Sequence, residues 1–450
     1  MLLASIINKP KLSVFLSLLT VSLYGSAQQN SPFSRFGLGD VLPASNILNR
    51  GMGGLTAAHA DAASINFANP ASYSRLNNVT FDLGLNIDSR TLKSAEPVLK
   101  YNSINFTPSY VLMGIPLSTA EQRRKKNHVA MVLGLRPVTS INYSVVEGRK
   151  IQPNNTDSVI YHYEGSGGLN QAIVGLSKKW GNFSIGINTG YTFGRKQIAT
   201  RTIIADTSFL PTNRSNSSTT TSFGGLYLNG GAMYEGKLSG RTSIRLGVAG
   251  NLSQNLNAEQ DMTRNTFFYS GAGSMIPIDT VSSQVGTSGQ VTLPSSINAG
   301  IAFTRKTEHR SGYALEDRMI GIEYTTTNWA DYRFMGQNDN LNNSWMVKVG
   351  GQLVPRPFTE SFWNNVAYRA GFNIGRDHVV AMGKNYSTYS MTVGAGFPLR
   401  SWRTSQSTQI NTSLEFGKRG SRENNITENF LRFSVGFNLS DIWFIKRRYD

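Results

Sequence analysis

The sequence predicts an all-β fold, a transmembrane antiparallel β-barrel of roughly fourteen strands with an N-terminal hatch, or plug, in its lumen. Three observations point there. The first is an unbroken alternation over 182–194. Phe183, Ile185, Ile187, Tyr191 and Phe193 share one face, and Asn182, Ser184, Gly186, Asn188, Thr192 and Gly194 share the other. Period-two alternation sends side chains to opposite sides of a strand. Here the polar set is small and uncharged, as suits a wall between lipid and a wet lumen. The second observation is that this pattern repeats almost to the last residue. The third is loop length. Short links at 180–181, 238–240 and 399–405 alternate with long ones at 146–158, 199–221 and 254–290, matching short periplasmic turns and long outer loops.

Bulk properties agree. The 450 residues are 39% hydrophobic with mean hydropathy -0.25. Beyond the N-terminus no apolar run approaches the ~20 residues that a spanning helix needs. With Gly 44, Cys 0 and only 16% charged residues, the chain is a glycine-punctuated β protein without disulfide or thiolate chemistry. A net charge of +17 invites a nucleic-acid partner. The cations are scattered, however, and form no stripe interleaved with aromatics, which argues against nucleic acid. The clearest clusters are Arg123-Arg124-Lys125-Lys126, between two strand patterns, and Lys446-Arg447-Arg448, after the last one. Both sit where solvated turns or headgroup contacts are expected.

Taken in order, residues 1–27 read as a secretory signal. Lys9 and Lys11 precede an apolar stretch at 12–23, and Gly25 and Ala27 supply the small residues of a cleavage site. The mature chain then begins near Gln28 and is expected in the outer membrane. Residues 28–78 hold no sustained alternation and are rich in Gly, Ala, Ser and Asn. A barrel of about fourteen strands encloses a lumen wider than its own side chains fill, so this segment is the candidate plug. The barrel occupies 79–450. Strand patterns start at Val79 and centre on 101–117, 128–145, 161–178, 182–194, 222–237, 241–252, 295–303, 319–326, 345–349, 366–374, 389–397, 409–416 and 430–444. The last ends in Trp443-Phe444, an aromatic terminus suited to an interfacial girdle.

The N-terminal segment also carries a resemblance. Gly53-Gly54-Leu55-Thr56-Ala57-Ala58, then Asp61-Ala62-Ala63-Ser64, then Asn69-Pro70-Ala71 resemble the hatch of the FadL-type outer-membrane transporters of hydrophobic compounds. The opening Ser31-Pro32-Phe33-Ser34-Arg35-Phe36-Gly37-Leu38-Gly39-Asp40 and the closing Asp441-Ile442-Trp443-Phe444 are similar to a Bacteroidota branch of that superfamily. The resemblance implies hatch positions Gly53, Gly54, Asp61, Asn69, Pro70 and Ala71. It also implies ligand capture in the lumen and sideways release through a break in the third strand. The physical counterpart here is Pro137, which cannot donate to a ladder, with Gly134 just before it and Pro108 in the neighbouring strand. These three are the candidate lateral gate.

Catalysis is not expected. The 5 histidines, His59, His128, His162, His309 and His378, show no metal-ligand spacing. No nucleophile elbow, P-loop or zinc-protease motif occurs. No cofactor or metal is expected. The inward-facing Asp82, Arg245, Glu323, Arg369, Glu415 and Arg432 read as barrel–hatch salt links, since a plugged barrel must pair the charges it buries. The expected partners are the outer-membrane bilayer, a hydrophobic or amphipathic small molecule resembling a long-chain fatty acid, and other outer-membrane proteins. The first reading is therefore uptake with lateral release. The alternative is a non-transporting FadL-like subunit of a Bacteroidota secretion or assembly machine. A general porin would line its constriction with more charge than the Gly, Ser, Asn and Thr found at the inward positions.

Overall fold

A computed structural model of the protein describes residues 31–441, apart from 96–97, 119–121, 123–126, 151–157, 206–213, 272, 309–313, 382, 400–406 and 422. The expected leader, the basic clusters at 123–126 and 446–448, His309, nearly all of the 399–405 link and Trp443-Phe444 lie outside the described residues.

Fourteen antiparallel strands form one closed barrel among the described residues. They are β1 (Val79–Ser94), β2 (Leu99–Pro116), β3 (Asn127–Pro137, then Thr139–Lys150), β4 (Ser158–Trp180), β5 (Phe183–Ala205), β6 (Arg214–Lys237) and β7 (Thr242–Asn251, then Gln254–Tyr269). There follow β8 (Met275–Leu293, then Ser296–Glu308), β9 (Ala314–Thr327), β10 (Ser344–Leu353), β11 (Ala367–Ala381), β12 (Lys384–Pro398), β13 (Ser407–Arg419) and β14 (Ile426–Asp441). Each split strand counts once because both halves run along the same neighbour: β3 along β4, β7 along β6, and β8 along β7. β14 closes on β1 in unbroken register from Asp441↔Val79 to Ile426↔Ser94. Closure leaves no backbone edge in the hydrocarbon there, the condition for any strand to cross a bilayer.

Side-chain sorting is inverted relative to a water-soluble sandwich. On β5, Ser184, Asn188 and Thr192 are buried while Ile187 and Tyr191 are 47% and 49% exposed. The exposed face is therefore the greasy one. Trp180 and Phe183 meet edge to face at the short-turn end, with ring centroids 5.6 Å apart. Tyr191 and Phe193 lie further along β5, past Ile185 and Ile187. The two aromatic levels bracket an apolar band, as at membrane–water interfaces.

The expected long loops need correcting. Most of 199–221 and 254–290, and the described ends of 146–158, are strand: β3 and β4 continue to Lys150 and from Ser158, β5 and β6 to Ala205 and from Arg214, and β7 and β8 pair from Gln254↔Leu293 to Tyr269↔Met275. Beyond the lipid both faces of a strand meet water, so the alternation in polarity fades. The ladder continues regardless, as in Ile198↔Thr219 and Thr200↔Ser217, because β-branched residues still favour it.

The N-terminal segment lies inside this ring. It holds a two-residue strand, Asp40–Val41, a single-turn helix α1 (Ile47–Arg50) and a 3-10 turn (Pro70–Arg75). One apolar cluster joins its Ile47, Ile65, Phe67, Tyr73 and Leu76 to Tyr110, Leu112, Ala130 and Val132 on β2 and β3.

Candidate functional site

Two features inside the wall bear on function: the way the N-terminal segment is fixed, and a gap in the ladder beside it. The segment folds by local capping. Asn46 caps α1, its side chain accepting from the Asn49 amide at 2.9 Å. Past its C-cap, Gly51, the chain turns at Gly53 and Gly54 with φ 70° and 75°, a region open mainly to glycine. The Gly53 amide donates to Thr392 Oγ1 on β12 at 2.8 Å. Asp61 receives the Ala63 amide at 2.8 Å. Asn69 opens the 3-10 turn, its Oδ1 accepting from the Ala71 amide and its Nδ2 donating to the Ala57 carbonyl. Pro70 follows at the first turn position, where its missing N–H costs least, and Ala71 is fully buried. All six positions that the resemblance implies thus lie in turns of the segment or touch the wall, Asp61 through its local turn alone.

Charged wall residues anchor the segment. Glu323 on β9 accepts the Thr56 and Ala57 amides, both at 2.6 Å, and pairs with Lys348 at 2.9 Å. Asp82 on β1 accepts Ser64 Oγ and the Ile65 amide at 3.0 Å each. Arg245 donates to the Ala60 carbonyl and pairs with Glu316, while Arg75 of the segment bridges Glu235 and Glu316 at 2.8 Å each. Arg432 pairs with both Glu415 and Asp88. Arg369 departs from the expected salt link: among the described residues it donates to Gln352 and Asn411, both at 2.7 Å, because amides line its level of the wall.

Several anchors escaped the sequence reading. Arg50 donates to Asn86, Ser109 and the Ser45 carbonyl. Asp40 sits between Arg90 at 2.8 Å and Arg419 at 2.9 Å, with Arg419 also on Asp377 and Arg90 on Glu428. Burial works against the charge on Asp40, but Arg419 and Arg90 outweigh it and hold the carboxyl below its ordinary range. The available signal was that Asp40, Arg50 and Arg75 are three of only five Asp, Glu, Lys or Arg residues at 28–78, with Arg35 and Asp61 the others. Burial, with Arg245 nearby, pushes the His59 imidazole down to about 3.

The gap lies at β3. β2 pairs with β3 only from Val111↔Leu135 to Pro116↔Ala130. Past Pro137 the strand keeps β4 on one side, with the Val138 amide on the Leu169 carbonyl at 2.8 Å. On its other side the N-terminal segment takes the place of β2. Asp40 and Val41 pair with Ser140 and Thr139, the Leu42 amide meets the Val138 carbonyl at 2.9 Å, and the Ser31 amide meets the Asn142 carbonyl at 3.1 Å. Gly134 faces Leu112 at the next-to-last β2–β3 rung before the gap. Pro108 stands at a register shift in the β1–β2 ladder, next to Ser109, whose hydroxyl meets Arg50. Bulges commonly re-aim a side chain in this way.

On the side of the long hairpins, a second apolar cluster lies inside the wall. Leu38 meets Leu169, Phe223, Leu256 and Val291 of the wall, together with Trp329, Tyr332 and Leu341 from the connection between β9 and β10. His378 stacks on Trp329 at 4.3 Å and pairs with Asp377. His162 contacts Ser144 and Glu164 at the rim. No group of His, Cys, Asp and Glu among the described residues could hold a metal ion. Phe183, Ala232, Leu246, Val248 and Ile301 line a shallow depression on the wall.

This architecture is shared with solved outer-membrane channels. The chain superposes on the CymD monoaromatic hydrocarbon channel with TM-score 0.52 and 15% identity, covering 90% of this chain and 99% of that one. A FadL homologue of Pseudomonas aeruginosa gives 0.54 and 13%, covering 90% and 99%. The Pseudomonas putida toluene transporter TodX gives 0.53 and 14%, covering 89% and 98%. At such identities the likeness is one of fold. No curated protein matches the sequence significantly. The profile of one family, described as BamG, spans residues 7–450, and with that match over nearly its whole length the chain belongs to the BamG family.

Proposed function

We propose that this chain is a plugged outer-membrane barrel serving as a partner subunit of an envelope assembly or secretion machine, with the N-terminal segment as a fixed hatch. One observation carries the reading: inward side chains of the wall close over the N-terminal segment in one buried apolar cluster of Leu38, Phe223, Leu256, Trp329, Tyr332 and Leu341. Below that cluster the segment is tied to the wall by buried charges. Stripping one partner from such a pair costs about 3–5 kcal/mol, and passage would disturb several at once. Membership of the BamG family supports the same reading. The test is purification of the tagged protein in mild detergent after cleavage of its expected leader. Stoichiometric envelope proteins in the eluate are the expected result; a barrel eluting with lipid alone would overturn it.

A second reading is favoured by the β3 gap. Replacement of β2 by the short strand Asp40–Val41 beside Pro137 supports uptake of a hydrophobic or amphipathic small molecule with lateral release. In that case Gly134, Pro137 and Pro108 form the gate. The neighbouring folds titled as monoaromatic hydrocarbon channels and toluene transporters agree with this alternative.

A further inference from the structure

At the short-turn end, the periplasmic end of an outer-membrane barrel, the charges inside the wall do not balance. Lys179 on β4, Glu235 on β6, Arg245 on β7, Lys306 on β8 and Glu316 on β9 meet there, and Arg75 joins them from the end of the 3-10 turn. The register assembles the set: Glu235 lies directly across from Arg245, and Lys306 from Glu316, an arrangement that opposite charges favour. Glu235 takes Arg75 at 2.8 Å, Lys306 at 2.9 Å and Lys179 at 3.5 Å. Glu316 takes Arg75 at 2.8 Å and Arg245 at 2.5 Å. Four cations thus share two carboxylates, a surplus of two positive charges. Asp61, which also acts on Arg245, is offset by Arg369 and leaves the surplus unchanged.

Several donors of this set lack partners. The Lys179 side chain is only 12% exposed, yet its ammonium makes one polar contact among the described residues, the long one to Glu235. An ammonium carries three donors. The wholly buried Arg245 leaves its Nε without a hydrogen-bond partner. The hydroxyls of Thr304, two residues before Lys306, and of Ser177, two before Lys179, are likewise buried and unpartnered. Buried cations ordinarily gather enough acceptors to offset their desolvation. Surplus positive charge together with free N–H and O–H donors describes an anion site. Lys306 and Arg75, with side chains 29% and 22% exposed, leave it open to solvent. A phosphate dianion matches the surplus and offers several oxygens to the arginine forks and the lysine ammonium groups. A single carboxylate would cancel only half of it.

We propose that this cluster binds a phosphate group, either the free ion or the headgroup of a phosphate monoester lipid. The bound dianion clamps the hatch by joining Arg75 of the N-terminal segment to Lys179 and Lys306 of the wall. The proposal rests on the fixed hatch of the reading above and names what fastens its lower end.

The test is isothermal titration of inorganic phosphate into the full-length chain in mild detergent, with ionic strength held constant by chloride. The expected result is saturable binding of one phosphate per chain, with exchange of amides 56–77 slowed at least about tenfold when phosphate is present. The double variant Lys179→Gln, Lys306→Gln leaves Arg75 and Arg245 balanced against Glu235 and Glu316. It should therefore keep heat-modifiable migration, the sign of an intact barrel, while phosphate affinity falls at least about tenfold. Lys306→Arg keeps the charge and should keep the binding. Competition with dihexanoyl phosphatidic acid separates the two sources. A short-chain lipid that binds tighter than phosphate marks a headgroup site, and one that binds no tighter marks a site for the free ion; either supports the cluster. No saturable heat, an effect that chloride reproduces, or unchanged affinity in the double variant would overturn the site. Phosphate that binds without slowing the hatch amides would overturn the clamp. None of these outcomes bears on the partner role, whose failure shows instead in the detergent eluate.

Discussion

Glu323 shows how much one inward carboxylate can do. It is 1% exposed, receives two backbone amides of the N-terminal segment and neutralises Lys348. Glu323→Ala strips the part-buried Lys348 of its counter-charge and leaves two buried amides without their acceptor, at a cost of up to about 3–5 kcal/mol. The midpoint of heat-modifiable migration should therefore fall by several degrees. Glu323→Gln, which keeps an acceptor for both amides, should lose less. His59 gives a pH signature of known sign. Its imidazole resists protonation inside the barrel, falling from 6.5 to about 3, whereas in a released segment it would titrate normally. Retention of the segment is therefore fully favoured above pH 6.5 and weakens as pH falls from 6.5 toward 3. Hydrogen exchange of residues 45–66, corrected for intrinsic rate, should quicken between pH 7 and pH 5 in the wild type. His59→Gln should flatten that change. Neither role is readable from the sequence: both depend on which wall residue lies opposite, and partners such as Thr56 and Glu323 are separated by 267 positions.

Among the elements, β3 is the most informative. Pro137 ends its first half because proline offers no ladder donor, and the sequence marks that position openly. What it does not mark is the replacement strand, since Asp40–Val41 is too short to show any periodicity. Gly39, at φ 102°, lies so close that an added Cβ would stand 2.5 Å from the Ser140 carbonyl. Gly39→Val should therefore push Asp40–Val41 off Thr139–Ser140 and sensitise cells to large antibiotics if the gap then opens; unchanged sensitivity would show that the wall seals without it. Pro137→Val separates the two functional readings. Uptake of a labelled hydrophobic solute should fall if the gap is an exit, and stay level if the protein is a plugged subunit. The splits in β7 and β8 had a partial signal in Pro294. The extension of the outer hairpins had none in polarity, because alternation carries information only where one face meets lipid.

Across the whole molecule, the strand patterns read from sequence correspond one to one with the fourteen strands, and the connections switch sides as expected. Those features are local. A strand in a bilayer must satisfy its backbone in a closed ladder and turn its apolar face outward, so length, period and turn position suffice to specify it. The lumen obeys no such local rule. Its contents were set by long-range complementarity: Trp329 and Tyr332 folding inward onto Leu38, the arginine–carboxylate sets around Arg75, Asp40 and Asp88, and a short strand replacing β2 beside Pro137. By itself, then, the sequence determined that this chain is an outer-membrane-type barrel, because the bilayer writes a two-residue period into every crossing. Only the tertiary structure decided what packs inside the barrel and where its wall is interrupted, because packing and charge pairing inside it join residues that sequence spacing never brings together.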